Sequence, residues 1–246
     1  LSDFVYDAYK REHGSQIAKF IVVNMYKHIA SSLPATIARF RRKFEEDDWR
    51  CGDADLSEYD VYEELGEESY SVLRTEAFHN IIDSVDLQRL QNEDTKYKEL
   101  KKVLGQKRKT IVFSFYLDTL RYLEGKLNES NIKCVRIDGS VPSTPDEPET
   151  DLRRHRIEQF RDDSETMVML SSQVGSEGLD FQFCDTVVNW DIPWNPMVVE
   201  QRIGRIDRIG QKSDRLLIFN LVTAGTVEEC ILDRLYERLG IFEHSI

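Results

Sequence analysis

The chain has 246 residues, 40% of them hydrophobic and 10% aromatic. That is enough apolar material for a buried core and too much for a disordered, collagen-like or small disulfide-stapled protein. Lysine and arginine number 33 against 45 aspartates and glutamates, a formal net charge of −12, which taken whole argues against a partner as negative as nucleic acid.

By segment the balance changes. Residues 1–44 hold eight basic and three acidic groups, whereas residues 45–76 hold thirteen acidic and two basic, so nearly all of the excess sits in one stretch. Four cysteines, Cys51, Cys134, Cys184 and Cys230, are widely spaced with no C-x-x-C pair, which points to neither a metal site nor a disulfide framework and favours a reducing, cytoplasmic compartment. Apolar runs fall well short of the ~20 residues that cross a bilayer, so no membrane association is expected; a monomer is expected as well. The chain opens at Leu1 in mid-pattern with no initiator Met, as a domain of a longer polypeptide would.

Taken in order, residues 1–109 read as a helical subdomain. Helical periodicity covers Gln16 to Ala30, Pro34 to Phe44 and Ala77 to Leu104, with Ser32 placed to cap the second segment ahead of Pro34. Lys27, Arg39, Arg41, Arg42 and Lys43 form a basic helical surface, read as a solvated face that could also follow DNA. The acidic stretch 45–76, carrying Tyr59, Tyr62 and Tyr70, has the composition of an exposed loop, and Pro142 to Thr150 is a second, proline-rich one.

Residues 110–246 alternate short β-branched runs with amphipathic segments. Strands are expected at Thr110 to Phe115, Lys133 to Ile137, Thr166 to Ser171, Thr186 to Trp190 and Leu216 to Leu221. Helices are expected at Leu117 to Leu127, Asp151 to Arg161, Pro196 to Ile209 and Thr226 to Leu239. This alternation implies right-handed βαβ crossovers and an α/β fold, a parallel sheet covered by helices on both faces. In such sheets ligands gather at the carboxyl ends of the strands.

Two segments there carry chemistry. In Asp191 to Gln211, DIPWNPMVVEQRIGRIDRIGQ, Asn195 and Pro196 suit a helix start and Gly210 a stop. At about 100° per residue Val198, Val199, Ile203, Ile206 and Ile209 share one face, while Gln201, Gly204, Arg205 and Arg208 share another. Two guanidiniums one turn apart beside an amide make a compact polyanion clamp, since the guanidinium fork pairs bidentately with phosphate and stays charged. Upstream, Ser171 to Asp180, SSQVGSEGLD, puts small residues and two glycines directly after a strand, where backbone N–H groups approach a ligand closely. Asp180 there can accept from a ribose hydroxyl.

Together, SSQVGSEGLD, WDIPWNP and QRIGRIDRIGQ resemble motifs V and VI of superfamily-two helicases. More closely the chain is similar to Swi/Snf-type DNA translocases, and among them to the bacterial RapA-like group. The likeness continues through VRIDGS at Val135 to Ser140, RRHRIEQF at Arg153 to Phe160 and TIVFSFYLDTLRYL at Thr110 to Leu123. It implies a RecA-like C-terminal helicase lobe over 110–246, preceded by a helical insertion over 1–109. Arg205 and Arg208 would then be arginine fingers assisted by Gln201, with Gly178 and Asp180 bordering the nucleotide. Ser114, Gly139, Ser140, Ser172, Gln173 and Trp194 would approach double-stranded DNA. Arg202, which falls toward the apolar side of the helix, is assigned to DNA or to the surface between lobes.

No G-x-x-x-x-G-K-[ST] string occurs among the twelve glycines. The resemblance therefore implies that ATP and Mg2+ are held mainly by an upstream RecA-like lobe of the same polypeptide, that this chain alone does not hydrolyse ATP, and that RNA polymerase or another protein complex is a candidate partner. The alternative reading is a non-catalytic module that binds nucleic acid or protein.

Overall fold

A computed structural model describes residues 23, 25–46, 75–142, 150–173, 179–193 and 195–243. The tyrosines of the acidic stretch and most of Gln16 to Ala30 lie outside them. Helical residues 25–31 lead into α1 (Leu33–Glu46), followed by α2 (Glu76–Asp83), α3 (Leu87–Glu93) and α4 (Thr95–Leu104). Then come β1 (Thr110–Phe113), α5 (Leu117–Glu129), β2 (Cys134–Ile137), α6 (Leu152–Asp162), β3 (Val168–Ser171), β4 (Thr186–Asn189), α7 (Pro196–Gly204), β5 (Leu217–Asn220) and α8 (Val227–Glu243).

The five strands form one all-parallel sheet in the order β2-β3-β1-β4-β5. With β1 in the centre, Thr110 to Phe113 are buried on both faces, which is why its sequence is continuously apolar rather than alternating with polar residues. Its side chains still split by period two. Val112 joins Leu170, Val188, Trp190 and the α5 leucines on one face, while Ile111 and Phe113 join Met169, Val187, Phe160 of α6, Phe181 and Ile206 on the other. Tyr97, Leu100 and Val103 of α4 enter the first of these cores, so α4 is built onto the sheet. A separate cluster of Ile37, Phe40, Phe78 and Ile82 holds α1 and α2 together.

Helix starts follow local chemistry. Ser32 Oγ accepts from Ala35 N at 3.3 Å and Asn195 Oδ1 from Met197 N at 3.0 Å with Pro196 behind it, as expected at both places. The single helix expected over Ala77 to Leu104 is three helices, because Asp86 and Asp94 accept from Arg89 N and Tyr97 N and so open α3 and α4. An interior Asp that caps a new helix ends the old one.

The basic face of α1 also departs from expectation, because much of it is not solvated. Lys43 is buried, Arg41 Nη2 donates to the carbonyls of Ile82, Asp83 and Val85, and Arg39 and Arg42 reach Asp118 at the start of α5. These cations fasten helix to helix.

Candidate functional site at the carboxyl ends of the strands

Four strand ends and the α7 segment meet at one edge of the sheet. After β1, Ser114 is fully buried and its hydroxyl donates to Asp191 Oδ2, which also accepts from Phe115 N at 3.0 Å. After β2, the buried Asp138 accepts from Ser140 N at 2.8 Å and from Ser140 Oγ, folding Gly139 and Ser140 into an exposed turn of the kind Asp side chains stabilise. After β3, Ser172 is fully buried with its N–H given to Ile137 O. Gln173 next to it donates to Gln201 Oε1 at 3.3 Å and accepts from Arg202 Nε at 3.3 Å.

Arg202 is 1% exposed. Its Nη1 donates to Asn189 Oδ1 at 2.7 Å and to Asp191 O at 3.3 Å, and its guanidinium lies 5.0 Å from the Phe113 ring centre and 4.8 Å from that of Phe115. Aromatic faces attract a guanidinium, and the polar groups at the ends of β3 and β4 accept from its Nη1 and Nε. The assignment of Arg202 to DNA or to a surface between lobes is therefore corrected: it is an internal strut. Ser114 and Ser172 are corrected likewise, since no atom of either meets solvent. Gly139, Ser140 and Gln173 remain accessible, while Gly178 and Trp194 lie outside the described residues.

The arginine pair is arranged differently from a single helix face. α7 ends at Gly204, with Arg205 as its C-cap, and residues 205–210 form turns. Three things stop the helix. Phe181 N donates to Arg205 O at 2.8 Å. Ile206 turns into the core beneath the sheet. Gln211 Nε2 takes the carbonyls of Cys184 and Ile206. Gly210, with φ +102°, then closes the turn in a conformation that L side chains rarely adopt. Ile209, expected on the apolar face, is fully exposed as a result.

The same turns bring the expected residues together. Arg205 Nη1 points at Leu179 O, 3.5 Å away, and Arg208 Nη1 pairs with Asp180 Oδ1, both side chains remaining partly exposed. Gln201, Arg205, Arg208 and Asp180 thus line one accessible margin beside the strand ends. The pairing of Arg208 with Asp180 was not expected, because the two approach only through the turn geometry.

Sequence reasoning also missed Asp191, Asn189 and the pair Lys96–Glu228. Lys96 Nζ lies 3.0 and 2.9 Å from the two Glu228 oxygens, and Thr223 N donates to the same carboxylate at 3.0 Å. Burial pushes the Glu228 carboxyl up to about 7, against the pull of Lys96 and with a further push from Asp191. Nothing in the local sequence pairs residues 132 positions apart.

Residues 95–210 match the family described as the helicase conserved C-terminal domain. The chain is 40% identical over 138 residues to the ATP-dependent helicase YqhH of Bacillus subtilis, covering 56% of this chain and 23% of that protein. It is 33% identical over 175 residues to the transcription regulatory protein SNF2 of Saccharomyces cerevisiae, covering 67% and 10%. Among solved structures it is similar to the C-terminal part of the Fun30 ATPase domain, at 25% identity and a TM-score of 0.52, over 64% of this chain and 50% of that one. The chain therefore spans under a quarter of the length of these curated relatives. The match to the helicase conserved C-terminal domain thus takes in just under half of the chain and four of the five parallel strands, β1 to β4, and the relatives found include Swi/Snf-type proteins.

Proposed function

We propose that this chain is the C-terminal motor lobe of an ATP-dependent double-stranded DNA translocase of the Swi/Snf type, a reading supported by the string Glu200 to Gln211, which resembles that of the RapA-like group. The observation that carries the reading is the accessible margin where Arg205, Arg208 and Gln201 stand beside Asp180. In it, Arg205 and Arg208 stabilise charge on the γ-phosphoryl group of an ATP whose phosphates and Mg2+ are held mainly by another lobe, and Asp180 borders the nucleotide. Arg208 must exchange its Asp180 partner for phosphate, so closure of the two lobes also reorganises this pair. Gly139, Ser140 and Gln173 face the phosphodiester backbone, while Ser114, Ser172 and Arg202 hold the strand ends that present them.

DNA-stimulated ATP hydrolysis by the full-length protein tests the assignment. Arg205→Ala or Arg208→Ala is expected to lower the stimulated rate by at least about a thousandfold, the lower end for a lost arginine finger, with little loss of DNA affinity. The 246-residue chain alone is expected to show no such activity. Full activity in either variant would refute the reading.

A further inference from the structure

A second polar site lies away from the strand ends, in the groove between α1, α3 and α5. It is a cavity of about 300 Å³. α1 contributes Ala35, Arg39 and Arg42, with Ala38 beside them, and α5 contributes Asp118, Arg121 and Gly125; in each set of three the residues are spaced three, four or seven apart and hence share one helical face. Small residues keep the groove open, and a methyl group added at Gly125 would meet nothing within 4 Å. A glycine inside a helix costs about 1 kcal/mol relative to alanine, so local helix stability does not account for it.

The charges converge. Arg42 Nη2 and Arg121 Nη1 reach Asp118 Oδ1 at 2.7 and 3.3 Å, while Arg39 Nε stands 3.6 Å from Oδ2. Asp118 is 7% exposed and Arg39 12%. At 3.6 Å Arg39 is beyond hydrogen-bond reach, and among the described residues Oδ2 accepts no hydrogen bond, although a buried carboxylate oxygen ordinarily does. Lys126 and Glu129 at the end of α5 also line the cavity and pair with each other, so three guanidiniums, each with five N–H donors, surround one buried carboxylate that still has an acceptor to fill.

We propose that this cavity binds a phosphate group that keeps one proton, either hydrogen phosphate or a terminal phosphomonoester. Guanidinium forks suit the several oxygens of such a group, and its P–OH donates to Asp118 Oδ2. A fully ionised oxyanion brings no donor and meets Asp118 as like charge against like. Sulfate, a peptide carboxylate and an internal phosphodiester are all disfavoured on that ground. The site is independent of the arginines after α7 and of the motor reading.

Calorimetric titration of the 246-residue chain at neutral pH and fixed ionic strength, with inorganic phosphate and with sulfate, tests this. Saturable phosphate binding is expected, with sulfate at least about tenfold weaker, the worth of one charge-assisted hydrogen bond. Gly125→Leu fills the groove without touching a charge. It should abolish phosphate binding while thermal stability holds or rises, because leucine is the better helix former. Arg42→Gln should weaken phosphate at least about tenfold, and Asp118→Asn, whose amide can donate as well as accept, should erase the preference over sulfate. A 5′-phosphorylated oligonucleotide compared with its 5′-hydroxyl form separates a strand end from free phosphate, and either result keeps the phosphate assignment. The proposal is overturned by absent phosphate binding, by equal affinity for sulfate, by binding unchanged in both Gly125→Leu and Arg42→Gln, or by an aspartate-rich peptide that binds where phosphate does not.

Discussion

Arg202 is the residue at which position on a helix was most misleading about role. It sits in a string dense with arginines and is the buried one: two phenylalanine rings flank its guanidinium, and Asn189, Asp191 and Gln173 receive its protons. Its angular position, toward the apolar side of α7, was visible in the sequence. What was not visible is that the rings come from the end of β1, some ninety positions earlier, because only the parallel register of β1 with β4 brings them beneath α7. Replacing Arg202 by alanine removes the stack and leaves Asn189 Oδ1 without its donor, which should cost about 3 kcal/mol or more from a lost charged hydrogen bond, an unsatisfied buried acceptor and a hole. Urea denaturation of the variant checks this. Loss of ligand binding with unchanged stability would instead restore Arg202 to the surface.

Among the elements, all five strands fall within a residue or two of their sequence positions, since short β-branched runs bounded by polar turns have few alternatives. Helix starts at Ser32 and Asn195 were equally legible, because a cap is a local interaction. Helix ends were not. α7 was expected to run to Ile209 and stops at Gly204 because Phe181 N, from a distant segment, and the Gln211 side-chain amide claim the carbonyls of Arg205 and Ile206 that a continuing helix would use. Asp94 shows how much one capping residue can carry. Its Oδ1 accepts from Tyr97 N at 2.9 Å to open α4, and its Oδ2 accepts from Tyr122 OH of α5 at 2.8 Å. Burial, then the charge of Asp94, holds the Tyr122 phenol far above its ordinary pKa, so it stays a donor. Asp94→Ala is expected to lose about 2 kcal/mol, roughly 1 for the cap and 1 for the hydroxyl bond. Asp94→Asn, which keeps an acceptor for the cap, should lose less. Thermal melts of the two variants, read together, separate the contributions.

At the scale of the whole molecule, the helical residues near the amino end and the parallel sheet are joined at one buried node. The carbonyl of Ser31 accepts from Trp190 Nε1 at 2.8 Å, and Ser31 Oγ meets Thr119 Oγ1 at 2.9 Å. The carbonyl of Ala30 accepts from Lys96 Nζ at 3.3 Å and from Thr223 Oγ1 at 3.2 Å. Lys96 in turn holds Glu228 at the start of α8, and its ammonium lies 5.3 Å from the centre of the Trp190 ring. Five separate stretches of chain therefore depend on one ion pair, whose carboxyl is raised from 4.5 to about 7 by burial. The direction of the pH effect follows from linkage. Below about pH 4.5 Glu228 is protonated in folded and unfolded chains alike. Between that value and about 7 the folded chain retains a proton that the unfolded chain has released, so stability declines as pH rises through this window and levels off above it. His28, whose imidazole is held neutral first by burial and then by the charge of Arg39, acts in the opposite sense below its ordinary value of 6.5, so the net slope of the wild-type chain mixes the two. Glu228→Gln isolates the first contribution: it keeps an acceptor for Thr223 N, cannot ionise, and leaves His28 unchanged. The difference in urea midpoint between wild type and Glu228→Gln is therefore expected to shift steadily against the wild type as pH rises from about 4.5 to about 7, and to be constant above that. A difference that does not change with pH across this window would show that Glu228 ionises in the folded chain as it does in the unfolded one, and that the node is held by an ordinary ion pair.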